Sequence, residues 1–302
     1  MKTRKAVLGS VLLQAHLKLK EIKDGGRIVR QGGAFGDAKN DTEIRADKVL
    51  GAFIRDRLAE IAMPGRIFVE GVSETGEVRG PPPLTDFYVD PLDGSLNYMT
   101  RGPTTGLPHG GCITMTHPVP GRETLFGHIM AAGIVDYRTG ELWLSEYTAD
   151  SAWSGGDDSS FFTEFFPTPP ACAVAARTDR REKLDPGAMV VICEMYYASN
   201  RARVEKMFRD HPKGWFRNPG SAAYEMALVS TGQAAAYICD QQKHHELGAG
   251  YALVKGAGGV VVDFEGEPYD SRPHSFNSQS PVILAANQAI ADQILELLRK
   301  AG

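Results

Sequence analysis

"DFYVDPLDGSLNY", residues 86–98, decides how the chain is read. An apolar strand runs into two aspartates, Asp90 and Asp93, with Pro91 between them and Gly94 and Ser95 directly behind. Carboxylates this close repel each other, and a structural turn needs only one. With the strand ending at Asp90 and the proline fixing the bend, both carboxylates and the Leu92 carbonyl can converge on one point. Three hard oxygens suit Mg²⁺, which keeps waters in its remaining octahedral positions. Gly94 and Ser95 present backbone N–H groups at what reads as a helix start, where unsatisfied amides and the dipole attract phosphate. Cation ligands beside a phosphate-binding turn point to metal-assisted phosphoryl chemistry. An isolated DxxD reads first as a strand-end turn and a helix cap. The full string D-P-L-D-G-S is far rarer and shifts that balance.

The bulk properties agree with a small-molecule enzyme. The chain has 302 residues, 42% hydrophobic and 23% charged, enough for one large domain or two moderate ones. A net charge of −4 argues against a nucleic-acid polymer as partner. It leaves an anionic small substrate open, because a bound cation reverses the local sign. Cys112, Cys172, Cys193 and Cys239 show no CxxC spacing, which suggests reduced thiols and a cytoplasmic protein. The N-terminal "MKTRKAVLGSVLLQAHLKLKEIKDG" reads as an amphipathic first helix and not as a targeting signal. No apolar run approaches membrane-spanning length, so no membrane partner is expected.

Along the chain, "GGRIVRQGGAFGDAKND" is a glycine-rich loop and "DTEIRADKVLGAFIRDRLAEIA" a second helix. "RIFVEGV" is a strand, "SETGEVRGPPPLT" a loop, and "DFYVD" the strand that ends at the opening motif. "GGCITMT", "FGHIMAAGIVDY" and "ELWLSEY" form a meandering sheet with a hairpin at "YRTGE". A boundary is expected in "SGGDDSSFFTEFFPTPP", dividing an N-terminal α+β part (1–155) from a C-terminal α/β part (156–302). Beyond it strands and helices alternate: "AMVVICEMYY", "NRARVEKMFRD", "GSAAYEMALVSTG", "AAAYICD", "ELGAGYALVKGAGG", "VVVDFEG", "PVILAAN" and "QAIADQILELLRK". That alternation predicts a layered α/β arrangement.

"DPLDGSLNY" resembles the D-P-[IL]-D-G-[TS]-x-N-[FY] signature of the inositol monophosphatase family, the Mg²⁺-dependent, lithium-sensitive phosphomonoesterases that include fructose-1,6-bisphosphatases and bisphosphate nucleotidases. A second match lies downstream. "GSAAYEMALVSTGQAAAY" and "HELGAGYALVKGAGGVVVDFEGEPYD" are similar to that family's G-[ST]-A-A and W-D-x-A-A-G segments, and the similarity spans roughly residues 40–298. The resemblance implies a layered α-β-α-β-α sandwich, two or three Mg²⁺ ions, a small phosphate ester as substrate, and a homodimer. It also implies roles. Asp90 would bridge two ions, with Asp93 on the second and the Leu92 carbonyl on the first, and Gly94 and Ser95 on the phosphate. Glu246 stands where most members have an aspartate after a tryptophan; here the pair reads His245-Glu246, and the fructose-bisphosphatase branch also uses glutamate.

Upstream the pattern frays. The family's G-E-E or S-E-E motif finds only "FVEGVSET", which nominates Glu70 by its spacing of twenty residues to Asp90 and Glu74 by the string V-S-E-T. The preferred glutamate is Glu70, placed inside the strand, with Glu74 as the alternative after it. By the resemblance, the chosen glutamate would hold the first ion and, with Ser95, activate the attacking water. Asp47 matches an aspartate behind the ligands, or is a helix-surface charge. Gly220, Ser221 and Ala222 match the turn that touches the alcohol part of the substrate, together with Asp93. Arg217 reads as a phosphate or acid partner, or as a solvated arginine. Inositol-specific members carry a glutamate where this chain has Cys239, with Asp240 next, which weakens the case for inositol itself. Lys243, His244 and His245 read as contacts to a second phosphate or sugar acid, or as a solvated loop. A non-catalytic metal- or phosphate-binding regulator is the rival class.

Overall fold

Leu8, Val11, Leu12, Ala15 and Leu19 recur at helical spacing and are all buried, and they define helix α1 (Arg4–Glu21). The computed structural model describes residues 4–26, 28–30, 43–61, 64–80, 85–101, 106–119, 121–146, 160–161, 176–185, 190–193, 198–209 and 215–301. Strands β1 (Ile28–Arg30) and β2 (Glu43–Ile44) pair antiparallel and lead into α2 (Arg45–Glu60). A seven-stranded sheet follows, in the order β4-β3-β5-β6-β7-β8-β9. Its strands are β3 (Gly65–Val69), β4 (Ser73–Arg79), β5 (Thr85–Asp93), β6 (Gly110–Thr116), β7 (Ile129–Asp136), β8 (Leu142–Glu146) and β9 (Ser160–Phe161), with short helix α3 (Ser95–Arg101) after β5.

The second sheet has five strands. They are β10 (Val190–Cys193), β11 (Trp215–Arg217), β12 (Ala236–Lys243), β13 (Val260–Val262) and β14 (Gln279–Ala285), in the order β11-β10-β12-β14-β13. The helices between and after them are α4 (Ala198–Phe208), α5 (Ala222–Ser230), α6 (His244–Gly256) and α7 (Gln288–Ala301).

Three apolar clusters fix the order of the layers. Leu8, Leu12, Leu50 and Ile54 of α1 and α2 pack on Phe87, Val89 and Ile113 of the first sheet. The opposite face of that sheet, with Cys112 and Ile134, meets α5 and α6 through Met226 and Leu247, which also touch Tyr237 and Leu284 of the second sheet. Ile238 and Ile283, on the far face of the second sheet, pack against Val204, Ile290 and Ile294 of α4 and α7. The molecule is an α-β-α-β-α sandwich, as the sequence implied. Strand alternation explains why two sheets can share the middle layer: Tyr237 and Cys239 face α5 and α6 while Ala236 and Ile238 face α4 and α7.

Several local expectations are corrected. "SETGEVR" is strand β4 and not a loop, because Gly71 at φ +68° turns the chain back and lets β4 pair antiparallel with β3 as an exposed edge. Glu70 consequently sits in the turn after β3, and Glu74 lies on β4. β5 does not stop at Asp90. A shift in its pairing with β6 between Asp90 and Asp93 accommodates Pro91, which has no N–H to give the ladder. Lys243, His244 and His245 are no loop either: Lys243 ends β12 and the histidines open α6. "FGH" at 126–128 is a 3₁₀ turn ahead of β7. Most of the glycine-rich segment and of the expected boundary at 154–170 lies outside the described residues. No helix is long and apolar enough to cross a membrane among the described residues. Cys112, Cys193 and Cys239 are free and buried; Cys172 lies outside the described residues.

Candidate metal centre

The pleat of β5 sets the direction of its first carboxylate. Phe87 and Val89 point toward α1 and α2, so Asp90 faces the middle layer, where α6 lies. The shift in register then folds the next two residues over it: Leu92 N donates to Asp90 Oδ1 at 2.9 Å, and the Tyr137 hydroxyl donates to the Pro91 carbonyl at 2.9 Å. Gly94 turns the chain at φ +79°, with the Pro108 and Gly220 carbonyls 3.0 and 3.1 Å from where a Cβ would stand. Only glycine fits there.

Asp93 reaches across to the other half of the chain. It accepts from Ser221 Oγ, from Ala222 N at 3.2 Å and from Ala223 N at 2.8 Å, and so caps the N-terminus of α5. Asn97 reinforces the junction by donating to the Pro108, Pro219 and Gly220 carbonyls at 2.6, 2.8 and 3.0 Å. Gly220 N in turn donates to Glu225 at 2.7 Å. Ser95 Oγ stands 2.8 Å from both Asp47 Oδ1 and the Leu92 carbonyl. The other Asp47 oxygen accepts from Ile44 N at 2.8 Å at the start of α2. Asp47 thus caps its helix and anchors Ser95 together.

Glu246 lies in the first turn of α6, buried, with Gln242 Nε2 donating to it. Gly248 permits the approach, since a Cβ there would stand 2.7 Å from Thr114 Oγ1 of β6. Carboxylate oxygens of Asp90, Asp93 and Glu246 all lie within 4.8 Å of one another. A second group, Glu70, Asp90 and His245, meets the same limit. Glu70 takes the Lys243 ammonium on Oε1 at 2.8 Å and has His245 Nε2 3.5 Å from Oε2. Glu74 is exposed, and its carboxylate accepts from Gly71 N at 3.3 Å. Arg217 is exposed at the end of β11. His244 turns away from His245 to Ser280 at 2.7 Å, so the adjacent histidines serve different neighbours.

Electrostatics separates the two groups. Burial, then the charges of Glu70, Glu246 and Asp93, pushes the Asp90 carboxyl well above the ordinary aspartate range. Burial first, with Asp93 and Glu70 adding and Lys243 and His245 opposing, pushes Glu246 up to about 7. Burial also acts against Glu70's charge, but Lys243 and His245 outweigh it and hold that carboxyl well below its usual range. Burial disfavours a charged His245, yet Glu70 raises its pKa. Buried carboxylates that repel one another to this degree are suited to a cation. The donors present fit a hard divalent ion.

A sequence model described as the inositol monophosphatase family matches residues 182–302, the segment that holds the Ser221 turn and Glu246. Over that segment the chain is similar to the inositol monophosphatase family. Among its relatives is the Nus factor SuhB of Escherichia coli K12, 25% identical over 263 residues, covering 83% of this chain and 85% of the relative. Another is the fructose-1,6-bisphosphatase/inositol-1-monophosphatase of Methanothermobacter thermautotrophicus, 23% identical over 278 residues, covering 91% and 88%. The crystal structure of the extragenic suppressor protein suhB from Bartonella henselae shares the fold with a TM-score of 0.71 at 22% identity over 97% of each chain.

Three features of the site are not legible in the sequence. Lys243 has its partner Glu70 173 residues away. Asn97 lies inside the opening motif, and no local pattern ties it to the Pro219 and Gly220 carbonyls. Gln242, the donor to Glu246, carried no signal beyond its position four residues ahead.

Proposed function

We propose that the chain is a divalent-cation-dependent phosphomonoesterase acting on a small phosphorylated polyol or sugar. One observation carries this reading: Asp90, Asp93 and Glu246, drawn from β5 and α6, bring three buried carboxylates within 4.8 Å of one another. Asp90, Asp93, Glu246 and the Leu92 carbonyl would hold Mg²⁺, with Glu70 completing a second position. Bound there, the ions supply charge neutralisation for the phosphoryl group and acidify the attacking water.

The chain's own groups do the rest. Ser95 donates its one proton to Asp47 or to the Leu92 carbonyl, which leaves an oxygen lone pair to accept from the attacking water. Glu70 Oε2, which Lys243 leaves open by bonding Oε1, would receive that water's proton. The Gly94 and Ser95 amides are offered to phosphate oxygens at the start of α3. Ser221 Oγ and Ala222 N are bound to Asp93, so their first task is to position that carboxylate; a touch on the substrate would be additional.

The test is phosphate release from a panel of sugar, polyol and nucleotide monophosphates and bisphosphates, with and without Mg²⁺, in wild type and Asp90→Asn. Cation-dependent release lost in the variant is the expected result; no release from any ester would sink the reading. A second reading, a non-catalytic metal- or phosphate-binding regulator, is favoured by the Lys243 ammonium already neutralising Glu70. It predicts Mg²⁺ binding without turnover.

A further inference from the structure

We propose that His245 Nε2 is a ligand at the Glu70–Asp90 position, so that this position takes a first-row transition ion in preference to Mg²⁺. It rests on the reading above only for the existence of a cation site.

The imidazole is built as a metal ligand is built. His245 Nδ1 lies 3.0 Å from the Phe276 carbonyl, an acceptor, so Nδ1 carries a hydrogen and the neutral ring that a metal takes has its lone pair on Nε2. The ring also packs on Phe276 with centroids 4.8 Å apart, which fixes its plane. Nε2 is buried and has no hydrogen-bond partner, in a side chain only 6% exposed. It points into the carboxylates, 3.5 Å from Glu70 Oε2 and 4.0 Å from Glu246 Oε1. Two ligands about 2.1 Å from a common ion lie roughly 3–3.5 Å apart, so the Glu70 distance needs little adjustment.

Lys243 does not block this arrangement. It occupies Oε1 of Glu70, and Oε2 remains on the His245 side. The ammonium therefore orients the carboxylate as an outer partner orients a ligand. Three elements supply the donors: the turn after β3, strand β5 and the first turn of α6. Two oxygens and an imidazole nitrogen suit Mn²⁺, Fe²⁺, Co²⁺ or Zn²⁺, whereas Mg²⁺ demands oxygen and dehydrates reluctantly. The Asp90–Asp93–Glu246 position is all oxygen and keeps its preference for Mg²⁺. The two positions thus differ in ligand chemistry although they share Asp90. The family resemblance puts a tryptophan at residue 245, which offers no such lone pair.

The experiment titrates the full-length, metal-free protein with Co²⁺, Mn²⁺ and Mg²⁺ by calorimetry and records Co²⁺ X-ray absorption. Wild type is compared with His245→Asn and His245→Gln, each checked for its fold by circular dichroism. Wild type should bind Co²⁺ and Mn²⁺ at least about tenfold more tightly than Mg²⁺ at one position and show imidazole scattering around cobalt. Both variants should lose that scattering and most of the preference while still binding Mg²⁺. Equal affinities and unchanged cobalt spectra in folded variants would overturn the proposal, leaving His245 as an ion partner of Glu70. No binding of any divalent ion by wild type would overturn it together with the cation-dependent function.

Discussion

Two carboxylate groups meet at Asp90 and are treated oppositely by the rest of the molecule. Asp90, Asp93 and Glu246 face each other, and burial and mutual repulsion outweigh the Lys243 charge, so Asp90 and Glu246 resist ionisation. Glu70 brings Lys243 and His245 with it and stays ionised far below its usual range. The first group is held by backbone: a shifted register, a helix N-terminus and the first turn of α6. The second is held by side chains from β12 and α6. An uncompensated cluster retains its geometry only because surrounding structure dictates it, and its charge suits a cation. A compensated one tolerates the absence of an ion.

Asp90→Asn gives the sharpest break, since both groups lose their common member. Turnover should fall by more than about a hundredfold, because even outer partners of metal ligands cost about 10–100-fold. The metal-free protein should melt no lower than wild type, as a buried, repelled charge has gone. A metal-free melt that drops sharply would show that Asp90 is held by attraction. Next in size is Glu70→Gln, expected to lower turnover about 10–100-fold in steady-state assays. Retained activity there, with a dead Glu74→Gln, would move the site to the other glutamate.

The pH response distinguishes the groups more finely. Glu246 is raised from 4.5 to about 7, so its contribution to metal-free stability is complete below 4.5 and lost as pH rises through about 7. Glu70 is depressed and stays ionised across that window, so it adds no slope there. Subtracting the melting curves of Glu246→Gln from wild type should isolate this fall. Added Mg²⁺ should bind up to about tenfold more tightly per pH unit in the same range, since it displaces protons. A pH-independent affinity would mean that the carboxylates are already ionised. Ser221→Ala removes one donor to Asp93 and should cost about 1–2 kcal/mol in denaturant unfolding. The smallest effect belongs to Glu74→Gln, an exposed change on an edge strand, with stability altered by less than about 0.5 kcal/mol.

Helices and sheets were legible wherever the apolar period was clean. α1, α2, α7 and the meander of β6, β7 and β8 fall where their patterns put them. β4 was missed because "SETGEVR" is polar on both faces, the mark of an exposed edge that alternation cannot detect. The boundary between β12 and α6 was misplaced because Lys243-His244-His245 carries no apolar period, and the histidines are buried by packing around Phe126 and Phe276.

The sequence by itself determined which atoms could bind a cation: D-P-L-D-G-S and a lone Glu246 are local, and their chemistry is written in residue type. It also determined the layered architecture, because strand and helix periods alternate through the second half. Tertiary structure alone decided which glutamate stands with Asp90, that Asp93 caps a helix 129 residues away, and that Lys243 and His245 surround Glu70. Those choices depend on the facing of the two sheets across α5 and α6. Distances between residues far apart in the chain are set by packing of whole layers, and no local pattern encodes them.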